Sequence, residues 1–159
     1  MSLLNQNILI FLIFKFILLI CILTLFNKNL LAEDWTKKFK AYSTTDNYLL
    51  SDGSKIVHYK NKGLWEDSLG NYGTQTCLGT IALNQEGKIV EILLFCQGED
   101  HNGDKFTTRV FRETDMVAGT GKYVIIDGTG LFKGYIGAEC TYAVSYFRDA
   151  LFDVDKCSK

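Results

Sequence analysis

The sequence predicts a single all-β domain, a barrel or sandwich of about eight strands, behind an apolar leader. Two observations carry the fold class. From Ser54 onward, short runs rich in Val, Ile, Tyr, Phe and Thr alternate with clusters of Gly, Asn and Asp, as expected of strands joined by tight turns. About eight such runs follow one another at the roughly 8–12-residue spacing of barrels and sandwiches. A third observation agrees: past the leader, no segment carries a helical stripe. The chain has 159 residues, enough for one domain with its own core, and no segment reads as a linker.

Residues 1–32 are read apart from the β domain, 33–159. "ILIFLIFKFILLICILTLF" (Ile8 to Phe26) is apolar except for Lys15 and Thr24. Ala32 then offers a small residue at a cleavage position, ahead of the acidic pair Glu33-Asp34. This is the pattern of a secretory signal peptide. A retained membrane anchor stays open, because the run of 19 residues is long enough to span a bilayer and "MSLLNQN" lacks Lys and Arg. Cys21 follows Ile20, where a lipoprotein site wants a small residue, and reads as one more apolar residue. The expectation is an exported protein, periplasmic or extracellular, touching membrane only through an uncleaved leader.

Charge excludes one class of partner. Residues 1–32 carry Lys15 and Lys28 and no acid, leaving 15 basic and 18 acidic residues and a net charge of −3. No dense basic patch exists, so nucleic acid is not an expected partner. The most basic stretches, "TKKFK" (Thr36 to Lys40) and "YKNKG" (Tyr59 to Gly63), read as solvated surface.

The elements follow in order. "DWTKKFKAY" (Asp34 to Tyr42) spaces Trp35 and Phe39 four apart, which suits one helical turn or an opening strand. "SKIVHYK" is a strand and "DSLGNYG" a turn. "TQTCLGTIALN" and "KIVEILLFC" flank Glu86-Gly87. "DHNGDK" centres on Asn102-Gly103, a strong hairpin signal. "KFTTRVFRE" precedes a glycine-rich region, and "GYIGAECTYAVSYF" and "ALFDVDKC" close the chain. There is no proline, so the turns rely on Gly, Asn and Asp.

Four cysteines lie past the leader: Cys77, Cys96, Cys140 and Cys157. An even number in an exported domain suggests disulfides. They form no CxxC and no Cys/His spacing suited to zinc, so no metal is expected. A two-residue turn at Glu86-Gly87 sets Leu83 against Val90, Ile81 against Ile92, Gly79 against Leu94 and Cys77 against Cys96. One face of that hairpin is then almost wholly apolar, which supports the register. A turn at Arg148-Asp149 sets Cys140 against Cys157, although Arg-Asp is a poor pair for a tight turn. Opposed strand residues bring Cα atoms to about 4.5–5.5 Å, within disulfide reach. The expected pairing is Cys77–Cys96 and Cys140–Cys157; pairing across hairpins, or none, are the alternatives.

"GTGKYVIIDGTGLFKGYIG" (Gly119 to Gly137) holds six glycines in 19 residues. It fails the Walker A pattern, since Met116 stands at the first glycine and Tyr123 follows Gly121-Lys122. It fails the dinucleotide fingerprint too, with Val124 and Lys133 at the third glycine positions. β-type sequence follows both Gly-Thr-Gly triplets, so neither is expected to open a helix. Corners and close backbone approach in a small barrel are the expected roles.

The same stretch resembles a known family. "GTGKY", with Gly128 five residues past Tyr123, is similar to the glycine signature of allene oxide cyclase/dirigent-like barrels, G-[TS]-G-x-[FY] with a further glycine at that distance. The match covers Gly119, Thr120, Gly121, Tyr123 and Gly128, about a dozen residues of span, together with the overall architecture. The likeness is nearest to small exported bacterial proteins of this type. It implies a single antiparallel eight-stranded, calycin-like barrel whose interior can hold an apolar ligand. It carries over no catalytic residue, and the paired cysteines and leader depart from the plant cyclase.

Site candidates follow. Trp65, Tyr123, Tyr142 and Tyr146 are candidate ligand contacts, with core packing as the alternative. Of the two histidines, His101 sits beside the Asn102-Gly103 turn, and His58 lies on a strand face opposite Val57 and Tyr59. His58 is a candidate general base or a plain strand histidine. "GEDHNGD" (Gly98 to Asp104) imitates a calcium loop but lacks its register and distal Glu. No nucleophile motif and no cofactor motif is present. The sequence thus points to non-catalytic binding of a small apolar or aromatic ligand, or to an envelope interaction module. A cyclase- or isomerase-like enzyme and a purely structural filled barrel are the alternatives.

Overall fold

A computed structural model describes residues 35–112 and 119–158, together with Lys15. The expected leader, Lys15 apart, lies outside the described residues. Eight strands form a closed barrel: β1 (Trp35–Leu49), β2 (Lys55–Asp67), β3 (Tyr72–Leu83), β4 (Ile89–Asp100), β5 (Lys105–Phe111), β6 (Thr120–Gly128), β7 (Glu139–Phe147) and β8 (Ala150–Ser158). Each strand is antiparallel to the next, and β8 returns to pair with β1, so the sheet has no free edge. The barrel alternative, not the sandwich, is the fold.

The stretch that suited a helical turn or a strand is a strand. Trp35, Lys37, Phe39 and Ala41 point inward along β1, while Thr36, Lys38 and Lys40 face solvent. That is the period-2 pattern of a strand buried on one face. Lys37 corrects the expectation for "TKKFK": it is 2% exposed, inside the barrel.

Four hairpins close in one way. At the β3–β4 connection the Gly87 N–H bonds the Asn84 carbonyl, and the Asn84 N–H bonds the Lys88 carbonyl. The Asn84 side chain accepts the N–H groups of Glu86 and Lys88, and Gly87 takes φ 78°. This is the three-residue loop with a left-handed glycine, not a two-residue turn. The same backbone bonds close 50–54, 67–71 and 100–104. The longer loop shifts the register at its root, so Leu83 meets Ile89 rather than Val90. From Ile81↔Ile92 through Gly79↔Leu94 to Cys77↔Cys96 the expected register holds. At the β7–β8 turn Arg148 itself takes a positive φ of 57°, and the register Cys140↔Cys157 forms.

Both disulfides are present, Cys77–Cys96 with Cα atoms 3.9 Å apart and Cys140–Cys157 with 4.0 Å. All four sulfurs point into the barrel, where each cysteine is buried. In the ring of eight strands, the β3–β4 and β7–β8 hairpins lie on opposite sides.

One end of the barrel is plugged. After β6 the chain makes a short 3-10 helix, Gly130–Tyr135, so the second Gly-Thr-Gly triplet does lead into a helix, contrary to expectation. This helix drives Phe132, fully buried, into the barrel end, 4.8 Å from the Phe106 ring, 6.1 Å from Trp65 and 6.3 Å from Trp35. Gly128 makes this possible, because a Cβ there would overlap the backbone of Phe132. Edge-to-face packing of such rings adds to their large apolar burial.

Candidate functional site

Above the aromatic plug, the interior changes character. A polar floor forms where β1 and β8 are adjacent. The register sets Lys37 directly beside Asp155, and Tyr142 of β7 on the other side of Asp155. Lys37 Nζ lies 2.9 Å from Asp155 Oδ2, with the two side chains 2% and 1% exposed, and donates to Gln75 Oε1 at 2.6 Å. The Tyr123 hydroxyl donates to Asp155 Oδ2 at 3.0 Å. Three rings surround the ammonium: Phe106 at 5.2 Å, Tyr123 at 5.5 Å and Phe39 at 5.7 Å. A buried ion pair survives desolvation only with such additional partners. Burial, then the Asp155 charge, push the Tyr123 hydroxyl well above the usual tyrosine range, so it remains a donor.

One step up β8, Asp153 sits between Phe39 and Val144 in the sheet. Neither neighbour offers a charge. Burial first, and the Asp155 charge second, raise Asp153 to about 8, against the opposing pull of Lys37. Asp153 therefore holds a proton at neutral pH, beside a second buried carboxyl.

Over this floor lies a cavity of about 150 Å³. Its wall is mainly apolar, with Ile81, Ile92, Leu94, Val110, Val144 and Leu151 on the lining. Tyr59 and Asn61 bring polar groups to one side, Asn61 Nδ2 donating to the Tyr59 hydroxyl at 3.4 Å. The cavity is partly open, and its lining reaches Arg112, Gly119 and Thr120 at the end away from the plug. Tyr146 stands there 59% exposed.

Three of the four aromatic candidates come together here. Tyr123 is in the floor, Tyr142 in the wall and Tyr146 at the mouth. Tyr142 is pushed up to about 12 by burial and then by Asp153. Tyr146, exposed over much of its ring, is raised by partial desolvation and then by Tyr59, through its charge and a hydrogen bond. Gly121 seats Tyr142: a Cβ at Gly121 would overlap the Tyr142 ring. Trp65 does not join them; it is 2% exposed in the plug and donates to the Thr74 carbonyl at 3.0 Å. His58 lies outside the barrel, exposed, edge-on to Tyr48. His101 is exposed on its turn and stacks on Tyr72 at 4.5 Å.

Lys37, Asp153 and Asp155 are the residues that sequence reasoning missed. The signal was parity: Lys37 shares a face with Trp35 and Phe39, and Asp153 and Asp155 share one with Cys157.

Fold and site define a class: a disulfide-bonded up-and-down β-barrel, plugged at one end and hollow above a charged floor. Beyond that class, no protein-family model matches the chain, and no curated protein matches it in sequence.

Proposed function

We propose that this protein is an exported binding barrel of the allene oxide cyclase/dirigent-like kind, which takes one small apolar or aromatic molecule into its open half. The observation that carries the reading is the division of the interior. Aromatic rings fill the lower half, whereas the upper half keeps a partly open, apolar-walled cavity of about 150 Å³. A purely structural barrel of this strand number fills itself with side chains throughout. The glycine stretch supports the family likeness, because Gly121 and Gly128 seat Tyr142 and Phe132. Two disulfides support export, since such bonds persist in oxidising compartments.

The test is a titration with toluene, followed by NMR shifts of the cavity-wall methyl groups. Saturable shifts at Leu94, Val110 and Leu151 are expected, and they should vanish in Val144→Trp, which fills the cavity. Absence of shifts, or equal binding by the filled variant, would overturn the reading.

The enzyme reading gains one specific support. Asp153, protonated at neutral pH beside Asp155, is a general acid placed at the cavity, a role that His58 on the outer face cannot fill. Native mass spectrometry of the exported protein would identify a co-purifying compound. Conversion of that compound by the wild type and not by Asp153→Asn is the expected result for an enzyme, and no conversion by either leaves binding alone.

A further inference from the structure

We propose that the cavity takes a small primary amine, one aromatic ring or a short alkyl chain in size, with its ammonium group between Asp153 and Asp155. The inference rests on the ligand-binding reading above and names the chemistry of the ligand's polar end.

The unpartnered atoms point to a donor. Among the described residues, the buried side-chain atoms without a hydrogen-bond partner are Asn61 Oδ1, Asp153 Oδ1 and Asp155 Oδ1. All three belong to residues that line the cavity. Asp155 is 1% and Asn61 6% exposed. Asn61 Oδ1 and Asp155 Oδ1 are acceptors, and the Asp153 carboxyl, which shares its proton with Asp155, becomes one when that proton leaves. A single group that serves several acceptors must bring several hydrogens, and an ammonium carries three.

Charge points the same way. Lys37 is the buried cation of the described barrel, and its ammonium is engaged by Asp155 Oδ2 and Gln75 Oε1. The pull of Lys37 on Asp153 is outweighed by burial and by the Asp155 charge. The groups around Asp153 are Lys37 and Phe39 from β1, Tyr142 and Val144 from β7 and Asp155 from β8, with Tyr59 and Arg112 elsewhere on the lining. An incoming ammonium displaces the proton of Asp153 and balances two carboxylates with two cations. An anionic ligand would instead meet both carboxyls. Rings already surround the Lys37 ammonium, and Tyr59 and Tyr142 extend that lining upward.

Size limits the body of the ligand. An engineered apolar cavity of about 150 Å³ holds benzene, and this cavity has about the same volume. One ring or a short chain fits.

The experiment is calorimetric titration of the disulfide-intact protein with benzylamine, benzyl alcohol, toluene and benzoate, from pH 6 to pH 9. Benzylamine is expected to bind at least about tenfold more tightly than benzyl alcohol or toluene, and benzoate not at all. Benzylamine affinity should rise from pH 6 to pH 8 with release of one proton, while toluene affinity stays flat. Asp153→Asn, verified as folded by near-ultraviolet circular dichroism, should lose the preference for the amine. Toluene or benzyl alcohol binding as tightly as benzylamine would overturn the amine and leave the apolar-ligand reading standing. Binding of none of the four would overturn both. A full amine preference in Asp153→Asn would overturn the placement of the ammonium.

Discussion

The raised pKa of Asp153 makes a quantitative statement about stability. Its carboxyl is raised to about 8 in the folded barrel, from an ordinary 3.8. The folded state therefore binds this proton more tightly than the unfolded chain. Below pH 4 both states are protonated and Asp153 exacts no penalty. As pH rises, the unfolded chain ionises first, and folding loses about 1.4 kcal/mol per pH unit until the folded pKa is reached. Above it both states are ionised and the loss is constant. Between pH 5 and pH 8 the loss comes to about 3–4 kcal/mol. Asp153→Asn removes this proton and nearly conserves shape. The assay is guanidinium unfolding of wild type and variant at pH 5, 6, 7 and 8 with disulfides intact. Trp35 and Trp65, both in the buried plug, report by fluorescence. The variant should gain about 3–4 kcal/mol on the wild type across that range, with the gain growing at each pH step. Parallel curves for the two proteins would refute the buried, proton-holding Asp153. A variant that lost ground as pH rose would reverse the sign and refute the linkage itself.

Two further expectations concern the floor and the clamps. Lys37→Met leaves Asp155 buried without its cation and should cost about 3–5 kcal/mol, whereas Lys37→Met with Asp155→Asn should recover most of the loss; equal losses in single and double variants would show that the pair is not the cause. Each disulfide closes a loop of 19 or 17 residues, worth about 3 kcal/mol by chain entropy. Cys77→Ser with Cys96→Ser should lose that amount in chemical denaturation, and non-reducing peptide mapping of the wild type should join Cys77 to Cys96 and Cys140 to Cys157. A map joining Cys77 to Cys140 or Cys157 would contradict the barrel register.

Local signals made the barrel legible. Asn84, Asp67 and Asp100 each stand three residues before a glycine, and each begins a hairpin loop. The alternation around Cys77 and Cys96 placed β3 against β4 because a slip of one residue would turn the apolar face outward. The loop at Asn84–Lys88 was read one residue short, since the side-chain bonds of Asn84 that define it are local chemistry that a turn dipeptide does not show. Phe132 was not legible as a plug. Its place depends on a 3-10 helix folding back over the barrel end, a tertiary event with no periodic trace. Trp65, a candidate ligand contact among the aromatics, belongs to that same plug. Lys37 and Asp155 were hidden by a prior that is usually right, that charges in strands face water. Alternation overrules the prior once one inward residue of a strand is known, and Cys157 supplied that residue for β8.

The position of the disulfides bears on why so costly a floor is tolerated. Gln75, which holds the Lys37 ammonium, is two residues from Cys77, and its Nε2 contacts Cys77 Sγ at 3.4 Å. Asp155 is two residues from Cys157, whose sulfur lies 3.6 Å from the Tyr123 hydroxyl. The two bonds thus tie down the two partners of Lys37 from opposite sides of the ring. Below them Phe132 fixes the plug. A buried pair is weak as a source of stability and exacting in its geometry. A frame that is cross-linked on both sides and plugged beneath holds Lys37, Asp155 and Asp153 in place without relying on their attraction. The carboxyls of Asp153 and Asp155 then remain on the cavity lining, where a packed apolar core would have been the more stable filling. Residues kept at such a cost, and aimed at the open half, are better accounted for by what enters that half than by the stability of the barrel.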